Sequence, residues 1–238
     1  DGIDQQYVTA LEQASGQTVW RTDRPPLAPT LPPLRKAFST PLVFRHAGRD
    51  QMVVTGARWI VSYDPATGEE LWRVDTGGTF SNVSRPVYGG ALVFAATSYG
   101  GSVLRAIRPD GQGDVTATHV AWQQARSVPK QSSPLLVGEE LYLVADNGVA
   151  SCLDASSGAS HWSQRLPGTV LASPVATDGR IYFFGEAGTT TVLRPGKQFE
   201  QLAENHLDGR VLASPALVDQ AIILRTATHL YKIRSPAK

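Results

Sequence analysis

The feature that most constrains this chain is a repeat. Proline stands at Pro41, Pro86, Pro134, Pro174 and Pro215, each followed by a short apolar run and spaced roughly 40–48 residues from the next. Tryptophan recurs at Trp20, Trp72, Trp122 and Trp162, with a fifth copy of that position expected near Leu207, where the pattern has lost its Trp. The stretch from Ser132 to Arg165 shows one unit in full. Ser133–Val137, Leu141–Ala145, Val149–Leu153 and Ser160–Ser163 read as four strands. Gly138-Glu139-Glu140, Asp146-Asn147-Gly148 and Asp154 to Gly158 separate them as turns. Short β-branched and aromatic runs between Asn-Gly and Ser-Gly punctuation are hairpin signals.

A second mark lies between the third and fourth strands. Asp64-Pro65-Ala66-Thr67-Gly68 and Asp154-Ala155-Ser156-Ser157-Gly158 share an Asp-x-x-Ser/Thr-Gly turn, and Glu12 to Gly16 is a variant with Glu for Asp. Asp caps such a turn through its carboxylate, and Gly takes the positive φ. Arg108-Pro109-Asp110-Gly111 and Arg194-Pro195-Gly196 occupy the same place with other turn chemistry. A period near 40 with four strands per unit predicts β-propeller blades, whose sheets bury their faces by packing on one another. No segment carries a sustained helical period. The fold expected is therefore all-β: a propeller of four-stranded antiparallel blades, about five in the chain. The boundaries expected are a partial blade at 1–22, full blades at 40–75, 85–124, 133–165 and 173–207, and an incomplete last blade at 214–233. The first blade lacks its first two strands and the last lacks its fourth. Either the amino-terminal strand closes a five-bladed ring or the chain is part of a larger propeller; the leftover third strand favours the latter.

The Ser-Pro opening and Tyr63-Asp64-Pro65-Ala66-Thr67-Gly68-Glu69-Glu70-Leu71-Trp72 resemble the PQQ-like repeat, over nearly the whole chain. That repeat occurs in quinoprotein alcohol dehydrogenases and in non-enzymatic exported bacterial propellers, the outer-membrane assembly lipoprotein among them. Ala106 to Gly111, Thr118 to Trp122 and Thr228 to Ile233 look like segments of uncharacterised bacterial propellers of this kind, which are generally longer at the amino terminus. The resemblance implies a periplasmic or extracellular location. It does not fix a function, because a fold hosts many.

Catalytic chemistry is sparse. The resemblance to quinoproteins implies a vicinal cysteine pair and a calcium-bound quinone, and Cys152 is the only cysteine. Calcium wants six to eight oxygens, and no carboxylate-rich cluster stands out. Asp110-Gly111-Gln112-Gly113-Asp114 lacks the oxygen series of a calcium loop and reads as a Gly-rich turn. The five histidines are scattered, and neither a Gly-x-Ser-x-Gly nor a phosphate-cradling loop is present. No cofactor is expected, PQQ included. With a formal net charge of +1, the chain carries no mark of a nucleic-acid binder, and no apolar run reaches the length of a membrane helix.

One surface feature remains. The connections from each fourth strand to the next first strand carry Arg24, Arg35, Lys36, Arg85, Arg126, Lys130 and Arg210 with few acids, and Phe80 beside them. Arg24, Lys36, Phe80, Arg85, Arg126, Lys130 and Arg210 are therefore the candidate face for a partner or ligand. The expectation is a non-catalytic interaction or scaffold propeller that binds a protein partner through that face. The alternatives are an enzyme or ligand-binding propeller acting on a small molecule or sugar at the channel, and a sensor module of a signalling protein.

Overall fold

The computed structural model describes residues 4–27 and 32–234. These form two compact units, Asp1–Arg126 and Ser127–Lys238. Apart from one short 3-10 turn, Pro32–Arg35, the regular structure is β-strand.

The first unit begins with a hairpin of β1 (Tyr7–Leu11) and β2 (Thr18–Asp23). The first blade follows: β3 (Leu42–His46), β4 (Arg49–Thr55), β5 (Trp59–Tyr63) and β6 (Glu70–Asp75), each antiparallel to the one before. The second blade is β7 (Val87–Gly89), β8 (Leu92–Ala96), β9 (Leu104–Ile107) and β11 (Val120–Gln124). Between β9 and β11 the chain leaves its own sheet. Residues Gly113–Asp114 form β10, which lies parallel beside β6, with Gly113 opposite Trp72 and Asp114 opposite Arg73. The Gly-rich turn expected at Asp110–Asp114 is thus in part a fifth strand on the preceding blade. Val115 N–H donates to the Arg73 carbonyl at 2.9 Å, and Thr116 Oγ1 accepts from Asp75 N–H at 2.8 Å, so the addition is held at three successive levels.

The second unit holds two complete blades and a three-stranded sheet. The third blade is β12 (Leu135–Val137), β13 (Glu140–Val144), β14 (Val149–Asp154) and β15 (Ser160–Arg165). The fourth is β16 (Val175–Thr177), β17 (Arg180–Phe184), β18 (Thr189–Leu193) and β19 (Gln201–His206). The last sheet is β20 (Ala216–Val218), β21 (Ala221–Arg225) and β22 (Leu230–Arg234). Every first strand starts one residue after its proline, where a missing N–H costs the ladder nothing.

Middle strands are largely buried on both faces and carry continuous apolar runs, as in Leu92–Ala96 and the 141–144 stretch of β13. In the first unit one core joins the two blades: Val53, Ile60, Trp72 and Val74 pack with Val93, Ala95, Ile107 and Val115. Another joins the first blade's Val54, Trp59, Val61 and Tyr63 to Val8 of the hairpin. In the second unit Tyr142, Val144, Cys152 and Trp162 pack with Ile181, Phe183, Leu193 and Phe199. Phe184 and Tyr182 pack with Val211, Leu224 and Ile222 of the last sheet.

The repeat residues act as seams between blades. Trp20 Nε1 donates to the Pro65 carbonyl at 3.0 Å and Trp162 Nε1 to the Gly196 carbonyl at 3.1 Å, each in the strand 3–4 turn of the next blade. Trp72 works through a relay: its Nε1 donates to Gln51 Oε1 at 2.8 Å, and Gln51 Nε2 donates to the Pro109 carbonyl at 2.9 Å. The blade-opening serines make a second seam. Ser133 N–H donates to Ser173 Oγ and Ser173 N–H to Ser214 Oγ, both at 2.9 Å. The capped turns hold as their residues require: Asp64 Oδ1 accepts from Ala66 N–H, Asp154 Oδ1 accepts from Ser157 N–H, and Gly68 and Gly158 lie at φ 76° and 72°.

One expectation is corrected by register. Trp162 pairs with Cys152, and Cys152 with Tyr142. The same places in the fourth blade are Ala203, Val192 and Tyr182. The lost tryptophan position is therefore Ala203, not Leu207, which lies past the end of β19.

Candidate functional site

The fourth-to-first connections meet the turns between second and third strands, and together they make the candidate face within each unit. In the first unit the connection after β6 is anchored by buried polar side chains. Asn82 Nδ2 donates to the Gly56 carbonyl at 2.7 Å, and Asn82 Oδ1 accepts from Ser98 N–H at 2.7 Å. Thr76 Oγ1 donates to the Arg58 carbonyl at 2.6 Å. Arg58 and Asp75 form a forked ion pair, with Nη2 2.8 Å from Oδ2, and that carboxylate raises the guanidinium's pKa. Buried polar groups paired in this way fix a loop in one conformation.

Phe80 is half-buried on this frame. It forms an antiparallel bridge with Tyr99, and the two rings stack with centroids 6.0 Å apart. Tyr99 is 43% exposed and is a surface aromatic that the repeat pattern did not reveal, because it lies in the irregular strand 2–3 turn of the second blade. Lys36 is half-buried, and its carbonyl accepts from Ser81 N–H at 2.7 Å. Arg85 and Arg126 are exposed.

Arg24 does not lie on that face. It is only 9% exposed, and its Nη2 donates to the Trp59 carbonyl at 3.1 Å. Gly56 makes room for it: a Cβ there would fall 2.1 Å from the guanidinium. Burial lowers its pKa, while nearby Tyr63 and Glu70 act the other way. Tyr63 is itself pushed up to about 12 by burial. Arg24 is thus a buried strut between the hairpin and the first blade, although in sequence it stands in a Pro-flanked connector among loop cations.

In the second unit Lys130 and Arg210 are exposed. Their connections bind acidic turn residues. Lys130 N–H donates to Asp146 Oδ1 at 3.0 Å, and Arg210 forms an ion pair with Glu186. Asp146 and Glu186 occupy equivalent strand 2–3 turns, so acids omitted from a tally of the connections alone lie beside the bases. The face is less positive than its connections suggest. The glycines of these turns allow the close approach. Gly148 (φ 83°) and Gly188 (φ 92°) would each place a Cβ against a carbonyl of the connection, 2.3 Å from Gly168 O and 2.0 Å from Leu207 O.

Among the described residues no group of three or more His, Cys, Asp and Glu side chains is placed to hold a metal ion. Cys152 is buried in the seam beside Trp162, and burial pushes its thiol up to about 11, so it is protonated at neutral pH.

The seams also differ in how well they close. In the third blade Trp162 sits 6.1 Å from the Tyr142 ring and 5.3 Å from Phe199, and Tyr142 Oη accepts from Gly196 N–H at 2.7 Å. On the fourth blade the matching surface is a pocket of about 420 Å³ lined by Tyr182, Val192 and Ala203 and flanked by Arg180, Arg194 and Asn205.

A family model described as "Outer membrane protein assembly factor BamB" matches residues 4–143 and again 114–234. The BamB protein of Vibrio cholerae serotype O1 is 25% identical over 191 residues, which is 74% of this chain and 47% of that protein. The crystal structure of BamB from Moraxella catarrhalis superposes with a TM-score of 0.71 at 15% identity, covering 96% of this chain and 66% of that one. The chain spans about half the length of the curated relative it matches. The sheets described above, with four-stranded antiparallel blades in succession and no α-helix among the described residues, are those of a multi-blade propeller. The seams, the capped turns and the two matches of one family model together make this chain a member of the PQQ-like repeat propeller family of the outer membrane protein assembly factor BamB.

Proposed function

We propose that this propeller is a non-catalytic interaction module of an exported compartment, binding a protein partner in the assembly of outer-membrane proteins. The observation that carries the reading is the family match, which extends over both units of the chain. The rigidity of the candidate face supports it. Connections held by Asn82, Thr76 and the Arg58–Asp75 pair present Phe80 and Tyr99 without loss of loop entropy on binding, which favours affinity. Aromatic and arginine side chains on a firm backbone are the usual anchors of protein interfaces. In the first unit Lys36, Phe80, Arg85 and Arg126 are the residues of this proposed face, and in the second Lys130 and Arg210. The periplasmic side of an outer membrane is the location that fits.

Crosslinking in intact cells that make the protein, followed by affinity capture, tests this. A single partner recovered repeatedly, and lost in a Phe80→Ala, Arg85→Glu double variant that still folds, is the expected result. Repeated capture without any partner, while the protein remains folded and abundant, overturns the reading.

A further inference from the structure

The connection that carries Phe80 is held differently from its counterparts in the second unit. Stretches 166–173 and 207–214 are fixed by apolar residues that plug the seam beneath them, Leu166 and Val170 in one and Leu207 and Val211 in the other. Stretch 76–85 is longer, opens on Thr76-Gly77-Gly78, and buries Thr76, Thr79, Asn82 and Ser84 instead. Glycines widen the backbone's freedom and hydroxyls give little hydrophobic anchorage, so this connection depends on polar holds from its neighbours. Those holds centre on Asp75 and Arg58. Asp75 grips the Arg58 guanidinium, and its Oδ1 accepts from Gly77 N–H at 2.8 Å. Arg58 lies at φ 64°, a left-handed backbone that a residue with a side chain keeps only where its surroundings impose it. In that conformation its carbonyl accepts from Thr76 N–H and its N–H donates to the Thr79 carbonyl, both at 2.7 Å. Phe80 is the next residue.

Asp75 is held in turn by the second blade. The strap that leaves the second blade's sheet at β10 crosses to the outer edge of the first, where Val115 is 2% exposed and packs with Trp72 and Val74. This seats Thr116 beside the end of β6. The Thr116 hydroxyl donates to Asp114 Oδ1 at 2.6 Å and accepts from Asp75 N–H at 2.8 Å. Its bonds, hydroxyl first and backbone N–H second, hold the Asp114 carboxyl below the usual carboxylate range. A hydroxyl that gives its proton to a carboxylate becomes a better acceptor, which tightens the grip on the Asp75 amide. We propose that the strap at 113–116 positions the partner face, Thr116 and Asp114 acting through Asp75 and Arg58 to hold Phe80 against Tyr99. The bonds from Asp114 through Thr116, Asp75 and Arg58 to the Thr79 carbonyl are 2.6–2.8 Å long, so a contiguous polar chain runs from the outer edge of the blade to the face. The second blade thereby sets the conformation of a connection that begins in the first. Its contribution to binding is order in place before the partner arrives, which spares the entropy of fixing the loop. The inference rests on the reading of Phe80 and its neighbours as the partner face.

The test is residue-resolved amide hydrogen exchange on the full chain, read beside partner recovery in the crosslinking experiment above. Thr116→Val keeps the side chain's shape and removes its hydroxyl. It should cost the Arg58, Phe80 and Tyr99 amides several-fold in protection and leave Ile60 and Cys152 unchanged. Thr116→Ser, which keeps the hydroxyl, should restore protection, and Asp114→Ala should reproduce the loss should the valine variant fail to fold. Partner recovery should fall several-fold in Thr116→Val and return in Thr116→Ser. Loss of protection confined to Asp75 and the strap, with Phe80 and Tyr99 unchanged, overturns the proposal, because the strap is then only a local prop. A loss spread evenly over the first unit, or a serine variant that restores nothing, overturns it as well. If Phe80 and Tyr99 lose protection and the partner is still recovered, while the Phe80→Ala, Arg85→Glu variant loses it, this proposal alone falls. If neither variant loses the partner, the reading of the face falls with it.

Discussion

The two seams of the second unit share a plan and differ in completion. Between the third and fourth blades, Tyr142, Cys152 and Trp162 form a row across three strands, and the next blade lays Gly196 and Phe199 on top. Between the fourth blade and the last sheet the row is Tyr182, Val192 and Ala203, and among the described residues these three line a pocket of about 420 Å³. The inner ends of both seams are closed alike, by the serine hydrogen bonds and by packed apolar residues, Val144, Val170 and Phe183 in one and Phe184, Val211 and Leu224 in the other. The blades therefore join through two independent devices. The inner one is retained throughout the unit, and the outer one depends on a single aromatic residue.

The largest expected effect comes from making the closed seam resemble the open one. Trp162→Ala removes the indole hydrogen bond to Gly196 and its packing on Tyr142 and Phe199. Truncation of a packed tryptophan costs about 3 kcal/mol or more, read as a fall in the urea midpoint at constant slope. A loss below about 1 kcal/mol would mean that the outer device contributes little and that the two seams are energetically equal. The converse change, Ala203→Trp, closes the open seam and should raise stability by about 1 kcal/mol.

Glycine exchanges sharpen the comparison next. Gly188→Ala puts a Cβ 2.0 Å from the Leu207 carbonyl at φ 92°, so the connection leading to the last sheet must move. Residues forced into such strained backbone cost about 1–3 kcal/mol, and the clash places this one at the upper end. Gly16→Ala is the control: its φ is 70°, with nothing within 4 Å of the added carbon, so only the conformational penalty of about 1 kcal/mol applies. Equal losses for the two would show that the connections are soft. Ser173→Ala follows, removing the acceptor of Ser133 N–H and thereby loosening the inner device at the closed seam. Its expected cost is about 1 kcal/mol, and the Ser133 amide should lose hydrogen-exchange protection.

Much of this architecture was legible because the repeat residues have local or seam roles that leave a period in the sequence. The prolines mark first strands, and Trp20, Trp72 and Trp162 all end in hydrogen bonds toward the next blade's turn or its relay. Three features were not legible. Gly113–Asp114 pairs as a strand although two residues of this kind carry no strand signal, because the neighbouring sheet edge imposes the pairing. The missing tryptophan was placed near Leu207 because the fourth blade's strand 3–4 loop, from Arg194 to Glu200, runs differently from the Asp-x-x-Ser-Gly turn, and only strand register fixes Ala203. Arg24 looked like a loop cation, and its burial depends on the absent side chain of Gly56, distant in sequence. Of the candidate face, the connections were readable from topology. Their acidic neighbours Asp146 and Glu186 were not, because they lie in different turns.

The smallest effect concerns pH and distinguishes the same two seams. Cys152 lies in the closed seam, its thiol pushed up to about 11 by burial, with the Tyr142 hydroxyl also raised by burial and beside it. Val192, at the matching place in the open seam, has nothing to titrate. A thiol with a higher pKa folded than unfolded binds its proton more tightly in the native state, so the folded form is favoured most below the unfolded value near 9. That advantage is lost as pH rises from 9 toward 11. Alkaline destabilisation over this window should therefore loosen the third-to-fourth blade seam first, seen as quenching or a red shift of Trp162 fluorescence in a variant where it is the sole tryptophan. Cys152→Val, which copies the open seam's residue, should remove the thiol's share of that response. An unchanged alkaline profile in Cys152→Val would assign the remaining sensitivity to Tyr142, whose hydroxyl is held neutral by burial although the hydrogen bond it accepts from Gly196 N–H favours the phenolate.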